Sequence, residues 1–280
     1  MAHVGSHEHK VFNEPFKVEP EVELLDTPGN YRRYPHPENL PDKIEVWRIH
    51  KPGKSYGGVV VRGYDFGESG DAEVLAPGFN TAKEYGAVAV GRHANFLQWG
   101  YAGSPSKMTE AGRKFFINCI AYISAFDGKT PLVRPKSAHR TNAVWYASLI
   151  KKVKDKGFFD STFSAELMEE YKDNPDALVK YYWDNFKLIY KDKVFRIDTE
   201  LKSLGFDSNW SMSTLEKLIA LRSDQTSGDT VQKLLTRYTE QSFTGATQWR
   251  RWFESNKGRI YFSDIGGYKF LVVPPGKLDK

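Results

Sequence analysis

Apolar residues follow two different rhythms along the chain. Up to about residue 130, short β-branched runs are set off by glycine and proline. Residues 1–41 are interrupted by Pro15, Pro20, Pro28, Pro35, Pro37 and Pro41, which predicts strand and loop with little helix. Residues 44–50 alternate imperfectly, and residues 58–62 and 87–90 are Val- and Ala-rich runs bounded by glycine, so all three read as strands. A long helix is expected over 109–126, capped by Thr109 and with Glu110 in its first turn. Phe115, Phe116, Ile117, Cys119, Ile120, Tyr122, Ile123 and Phe126 cover nearly every side of it, a pattern that predicts burial on more than one face.

Asp127-Gly128-Lys129-Thr130-Pro131 ends that helix and reads as a linker. Beyond it the spacing is mostly helical. Trp145, Leu149 and Val153 recur every four residues, and Leu178, Tyr181 and Tyr182 fall at i, i+3 and i+4. Ser213-Thr214-Leu215-Glu216 has the form of a capping box opening a helix. Asp229 can cap a helix bearing Val231, Leu234, Leu235 and Tyr238, and Trp249, Trp252 and Phe253 form one apolar face. Residues 259–263 and 268–273 are strand-like, and Asp264-Ile265-Gly266-Gly267 between them is a tight hairpin turn. The expected architecture is an α/β domain over residues 1–130, then a mainly helical domain over 131–280 that ends in a β-hairpin.

Composition narrows the class. With 40% hydrophobic and 27% charged residues the chain belongs among globular proteins. No apolar run approaches the ~18 residues of a membrane span. One cysteine rules out an internal disulfide. Charge is uneven: residues 1–130 carry 15 basic against 16 acidic residues, and residues 131–280 carry 25 against 19. Basic and acidic residues interleave, as in Lys151-Lys152-Val153-Lys154-Asp155-Lys156, so this is a solvated helix face and no nucleic-acid partner is expected. The first residues have no signal-peptide pattern, which leaves the compartment open, a mature extracytoplasmic form included.

Candidate chemistry concentrates in residues 91–100, after the run 87–90, where α/β sheets collect ligands. Arg92, His93, Asn95, Gln98 and Trp99 offer a cation, an imidazole, two amides and an aromatic plate. That set suits a small polar, sugar-like or anionic ligand. It equally suits a loop that satisfies its own backbone groups and packs onto the sheet.

A family resemblance runs through the same region. Asp71-Ala72-Glu73-Val74, Gly78-Phe79-Asn80, the 91–100 stretch, Met108-Thr109-Glu110 and Asn118, all within 71–128, resemble the C-terminal half of ThuA-like proteins. That group is named for trehalose utilisation and has a class I glutamine amidotransferase-like, flavodoxin-type fold. His9-Lys10-Val11-Phe12 is similar to the His-Pro-Ile/Val-Phe step before that half, with Lys10 at the proline position. The resemblance implies a reduced flavodoxin-like sheet, lacking the β-α units expected before His9, and a carbohydrate-related ligand. Amidotransferase chemistry does not carry over. It needs a cysteine on a glycine-flanked strand-to-helix elbow, and Cys119 lies inside an apolar helix. Residues 198–205 and 262–270 are similar to the tails of uncharacterised bacterial proteins.

Other constellations are weaker. His7 and His9, at i and i+2, are usable for a divalent metal if His93 joins them, although residues 1–6 also read as a cloning remnant. Ser104 and Lys107 match Ser-x-x-Lys only in form. Asp65 with Glu68 or Asp71 could hold a cation, or be solvated turn residues. Three functional readings follow: a protein binding or processing a polar, carbohydrate-related ligand, a non-catalytic protein-interaction module with a protein partner, and a metal-dependent hydrolase. The 14% aromatic share falls mostly on helix faces; only Trp99, Phe96 and Tyr101 lie where a ligand is expected.

Overall fold

The structure, a computed structural model, describes residues 1–5, 7–33, 40–53, 57–153, 156–222 and 228–275. Ser6, Pro35, Pro37, Lys154 and Asp155, and the side chains of Asp65 and Lys156, lie outside the described residues. The chain divides into two compact units, Met1–Leu132 and Val133–Lys280.

The first unit contains two three-stranded sheets. In one, β1 (Ala2–His3), β2 (Val22–Asp26) and β3 (Lys43–Trp47) run in the order β1-β3-β2. Ile44 and Val46 of β3 are buried while Lys43 and Glu45 face solvent, the alternation of a half-buried strand. Residues 1–3 are part of this sheet, with Ala2 opposite Trp47 and His3 opposite Val46, both buried. Whatever their origin, residues 2 and 3 are packed into the sheet.

After α1 (Gly63–Gly67) comes the second sheet, β4 (Ala72–Pro77), β5 (Val88–His93) and β6 (Phe96–Trp99), in the order β4-β5-β6. All strand pairs of this unit are antiparallel. The parallel order of a flavodoxin-like sheet is not among them, and connection length explains why. Only Ala94 and Asn95 join β5 to β6, whereas a parallel crossover needs a dozen or more residues. Ala94 takes a left-handed φ of 50° to make that turn. Residues 58–62 form isolated bridges, Gly58 with Tyr101 and Val61 with Val88, rather than a strand.

Helix α2 (Glu110–Ser124) packs on these sheets. Thr109 Oγ1 accepts from the Gly112 amide at 2.9 Å and donates to the Arg48 carbonyl at 2.9 Å, so one hydroxyl caps the helix and ties it to the chain leaving β3. Phe115 stacks on Phe12 at 4.8 Å and meets Trp47 and Trp99 edge-on or tilted at 5.5 and 5.8 Å. Asn118, within this apolar helix, donates to the carbonyls of Val11 and Phe16 and accepts from the Phe16 amide, strapping residues 11–16 to the helix. The expectation of burial on more than one face is corrected, because Ile117 and Ile120 are left exposed.

The second unit comprises α3 (Thr141–Leu149), α4 (Ala165–Glu170), α5 (Pro175–Asp184), β7 (Ile189–Lys191), β8 (Phe195–Ile197), α6 (Thr199–Ser203), α7 (Met212–Leu221), α8 (Gly228–Tyr238), α9 (Ala246–Asn256), β9 (Ile260–Ser263) and β10 (Lys269–Val272). One apolar core takes Leu178 and Tyr182 from α5, Leu215 and Leu218 from α7, Leu234 and Leu235 from α8, Trp249 from α9 and Phe270 from β10. The capping residue of α7 is Ser211, whose Oγ accepts from the Ser213 amide at 3.2 Å, two residues before the expected box. β9 and β10 pair as the expected hairpin, Phe262 opposite Phe270. No helix among the described residues is long and apolar enough to cross a membrane.

Candidate functional site

The five side chains singled out between residues 92 and 99 lie on the β5–β6 hairpin, not in a loop, and strand alternation separates them. Arg92 and Trp99 turn toward α2. The Arg92 guanidinium grips Glu73 of the neighbouring strand through Nε at 3.2 Å and Nη2 at 3.0 Å. It also donates to the Ala94 carbonyl at 3.1 Å and lies 3.9 Å over the Phe126 ring. Tyr122 of α2 donates to the same carboxylate. Trp99 packs on Phe116 at 4.8 Å and on Phe115. Neither is an available binding group: one is the hub of a buried ion pair, the other part of the core.

The metal-ligand expectation for His7 and His9 meets a similar end. His9 Nδ1 accepts from the Val11 amide at 3.2 Å, its Nε2 lies 3.7 Å from Glu73, and its ring meets Tyr122 edge-on at 5.1 Å. His9, Arg92 and Tyr122 outweigh the opposing effect of burial and hold the Glu73 carboxyl well below the usual range. His7 rests against Phe12, ring centroids 4.9 Å apart. Neither histidine joins His93 or belongs to a set of three close ligand atoms among the described residues. Cys119 is buried in the core of the first unit, and burial pushes its thiol up to about 12, which keeps it protonated and inert.

What remains is the other side of the hairpin. His93 Nε2 sits 3.2 Å from Asp71 Oδ1. Asp71 also accepts from the Ser69 hydroxyl and, through Oδ2, from the Leu132 amide at 2.9 Å. Burial alone would raise the Asp71 carboxyl, and these three donors outweigh it, so it lies below its ordinary value. The Ala94 amide donates to the Asp71 carbonyl at 3.0 Å and fixes the turn beside the pair. Phe96, directly opposite His93 in register, is 65% exposed. Asn95, in the turn between them, has a buried Oδ1 with no hydrogen-bond partner among the described residues. Gln98 spends its amide on the Val88 carbonyl at 3.1 Å.

The hairpin end thus sets an exposed aromatic ring beside a half-buried imidazole that approaches Asp71, while the Asn95 amide oxygen is enclosed. Asp71 and Glu73 are the carboxylates that partner His93 and Arg92, and no local motif marks them for it. The missing signal was pairing: in antiparallel register Glu73 lies opposite Arg92, and Ala72 opposite His93. No protein-family model, curated protein or solved structure matches the chain.

Proposed function

We propose that the first unit binds a small polar, carbohydrate-like ligand at the open end of the β5–β6 hairpin. The observation that carries this reading is the exposed Phe96 directly opposite the half-buried His93 on one face of the hairpin. Sugars have apolar C–H faces and hydroxyl rims. An exposed phenyl ring suits the first, and the half-buried imidazole beside it suits the second. Asp71 stands 3.2 Å from the imidazole and favours one orientation of it, which lowers the side-chain entropy lost on binding. The ThuA-like resemblance of residues 71–128 belongs to this proposal, and it puts mono- and disaccharides first among ligands to try.

Phe96→Ala is the decisive variant, because an exposed ring can be removed without opening the core. In a saccharide panel read by thermal shift and NMR titration, the wild type binds at least one sugar. Phe96→Ala loses that signal while keeping the wild-type melting profile without ligand, and His93→Ala loses it as well, with some loss of stability because Asp71 loses a partner. Equal shifts in wild type and Phe96→Ala would overturn the reading.

A further inference from the structure

Asp127-Gly128 is the only place in the chain where glycine follows an aspartate or asparagine. It lies just past the end of α2, and both residues are exposed. The Gly128 amide donates to Oδ1 of the preceding Asp127 at 3.0 Å, so its nitrogen already lies against the neighbouring carboxyl group. Gly128 takes a left-handed φ of 74°, and nothing stands within 4 Å of the position a Cβ would occupy. The nitrogen therefore lacks the side-chain shielding that any other residue would give it.

We propose that Asp127-Gly128 is a site of spontaneous isoaspartate formation, and that the change loosens the segment through which the chain leaves the first unit. In the first step the Gly128 nitrogen bonds to Asp127 Cγ. The amide proton and the side-chain hydroxyl leave as water, and a five-membered succinimide closes. Water then opens that ring at one of its two carbonyls. Opening at Cγ restores aspartate. Opening at the main-chain carbonyl leaves the chain running through Cβ and Cγ, with a free α-carboxylate beside it. One water leaves and one returns, no electrons are transferred and no co-reactant is required. The fold contributes proximity, because the nitrogen is held beside the carboxyl it attacks. The surroundings give the product its effect. On one side the Phe126 ring is pinned by the Arg92 guanidinium, 3.9 Å away. On the other, Asp71 Oδ2 accepts from the amide of Leu132 at 2.9 Å, and Leu132 is the last residue of the first unit. Isoaspartate adds one carbon to the backbone, about 1.5 Å of chain, between these two anchors. The added length frees the Leu132 amide from Asp71.

Ageing the full folded chain for weeks in warm neutral buffer tests this, with peptide mapping by electron-transfer mass spectrometry to tell isoaspartate from aspartate. Isoaspartate is expected at position 127 at least about tenfold above any other aspartate or asparagine, and Asp127→Glu, which cannot close the five-membered ring, abolishes it. The same chain aged in urea shows what the fold adds: the folded protein converts at least as fast as the unfolded one. Absence of isoaspartate at 127, or conversion about tenfold slower in the folded protein than in urea, would overturn the site. Hydrogen exchange on the aged sample reads the consequence, because the isoaspartyl and aspartyl forms of a peptide spanning residues 127 and 132 elute separately. The Leu132 amide is expected to exchange about fivefold faster in the isoaspartyl form, as for loss of one hydrogen bond. Equal exchange in the two forms would overturn the loosening of the segment.

Discussion

His3 lies in β1 with its ring against Tyr31, Phe79 and Tyr85, centroids 4.9–5.9 Å away. Its Nε2 is 2.9 Å from the Tyr31 hydroxyl, and its Nδ1 is buried without a partner among the described residues. Burial first, and the nearby N-terminal ammonium second, lower its pKa to about 4. The folded protein therefore keeps this imidazole neutral at pH values where the unfolded chain, with a pKa near 6.5, would protonate it. The stability from neutral burial is complete above pH 6.5, drains away as the pH falls toward 4, and changes no further below that. A shift of this size corresponds to about 3 kcal/mol across that window. His3→Phe, measured by urea unfolding from pH 7.5 to 4, is expected to flatten the dependence of stability on pH whatever its effect at pH 7.5. An unchanged slope would show that His3 does not titrate on unfolding. Nothing in the sequence around His3 announces this role, because the aromatic cage comes from residues 28 to 82 positions away. Trp99 is a similar case: its short-range context looks exposed, and its burial depends on a helix it meets only in three dimensions.

Elements were more legible where their signals are local. The α2 cap is Thr109, as spacing and chemistry predict, because an N-cap bond spans only three residues. The C-terminal hairpin was equally readable, since Asp264-Ile265-Gly266-Gly267 carries the turn and Gly267 takes a φ of +102°. The β5–β6 hairpin was not, because its turn uses Ala94 at positive φ, a residue type with no turn signature. Gly112 shows how packing overrides propensity within one element. In an isolated helix Gly→Ala gains about 1 kcal/mol. A Cβ here would stand 2.2 Å from the Ile49 carbonyl oxygen and 2.9 Å from its carbon, and the obstacle is backbone, not a flexible side chain. The same carbonyl accepts from the Thr109 amide at 3.0 Å, so the helix start and the chain after β3 would have to separate. Gly112→Ala is therefore expected to destabilise the first unit by about 2–4 kcal/mol, in the range of overpacked sites. A rise in the urea midpoint instead would mean that the close approach relaxes at little cost.

At the scale of the molecule, the change from strand-like to helical spacing near residue 130 was visible because periodicity is a property of each segment alone. The groups that hold a unit together were not, since they pair residues more than a hundred positions apart. In the second unit Arg140 is fully buried just ahead of α3. Its side chain forms a two-pronged pair with Asp264 in the β9–β10 turn, 2.7 Å from Nε to Oδ2, and its amide donates to the same carboxylate at 3.0 Å. Nη1 reaches Asn209 Oδ1 at 3.0 Å, and the guanidinium lies 4.0 Å over the Trp210 ring. One side chain thus joins the start of α3, the segment before α7 and the terminal hairpin. The net worth of such a pair against an apolar replacement is small, because both charges had to leave water, but removing one partner strands the other. Arg140→Met should therefore cost the second unit about 3–5 kcal/mol. Asp264→Leu in the same chain should return part of that loss, because no charge is then left buried alone. Hydrogen exchange of peptides from residues 133–275, compared across wild type, Arg140→Met and the double variant, reads both effects. A cost below about 1 kcal/mol for Arg140→Met, or a double variant worse than the single one by the full cost of losing Asp264, would mean that the hairpin turn is held by its own bonds and not by this pair.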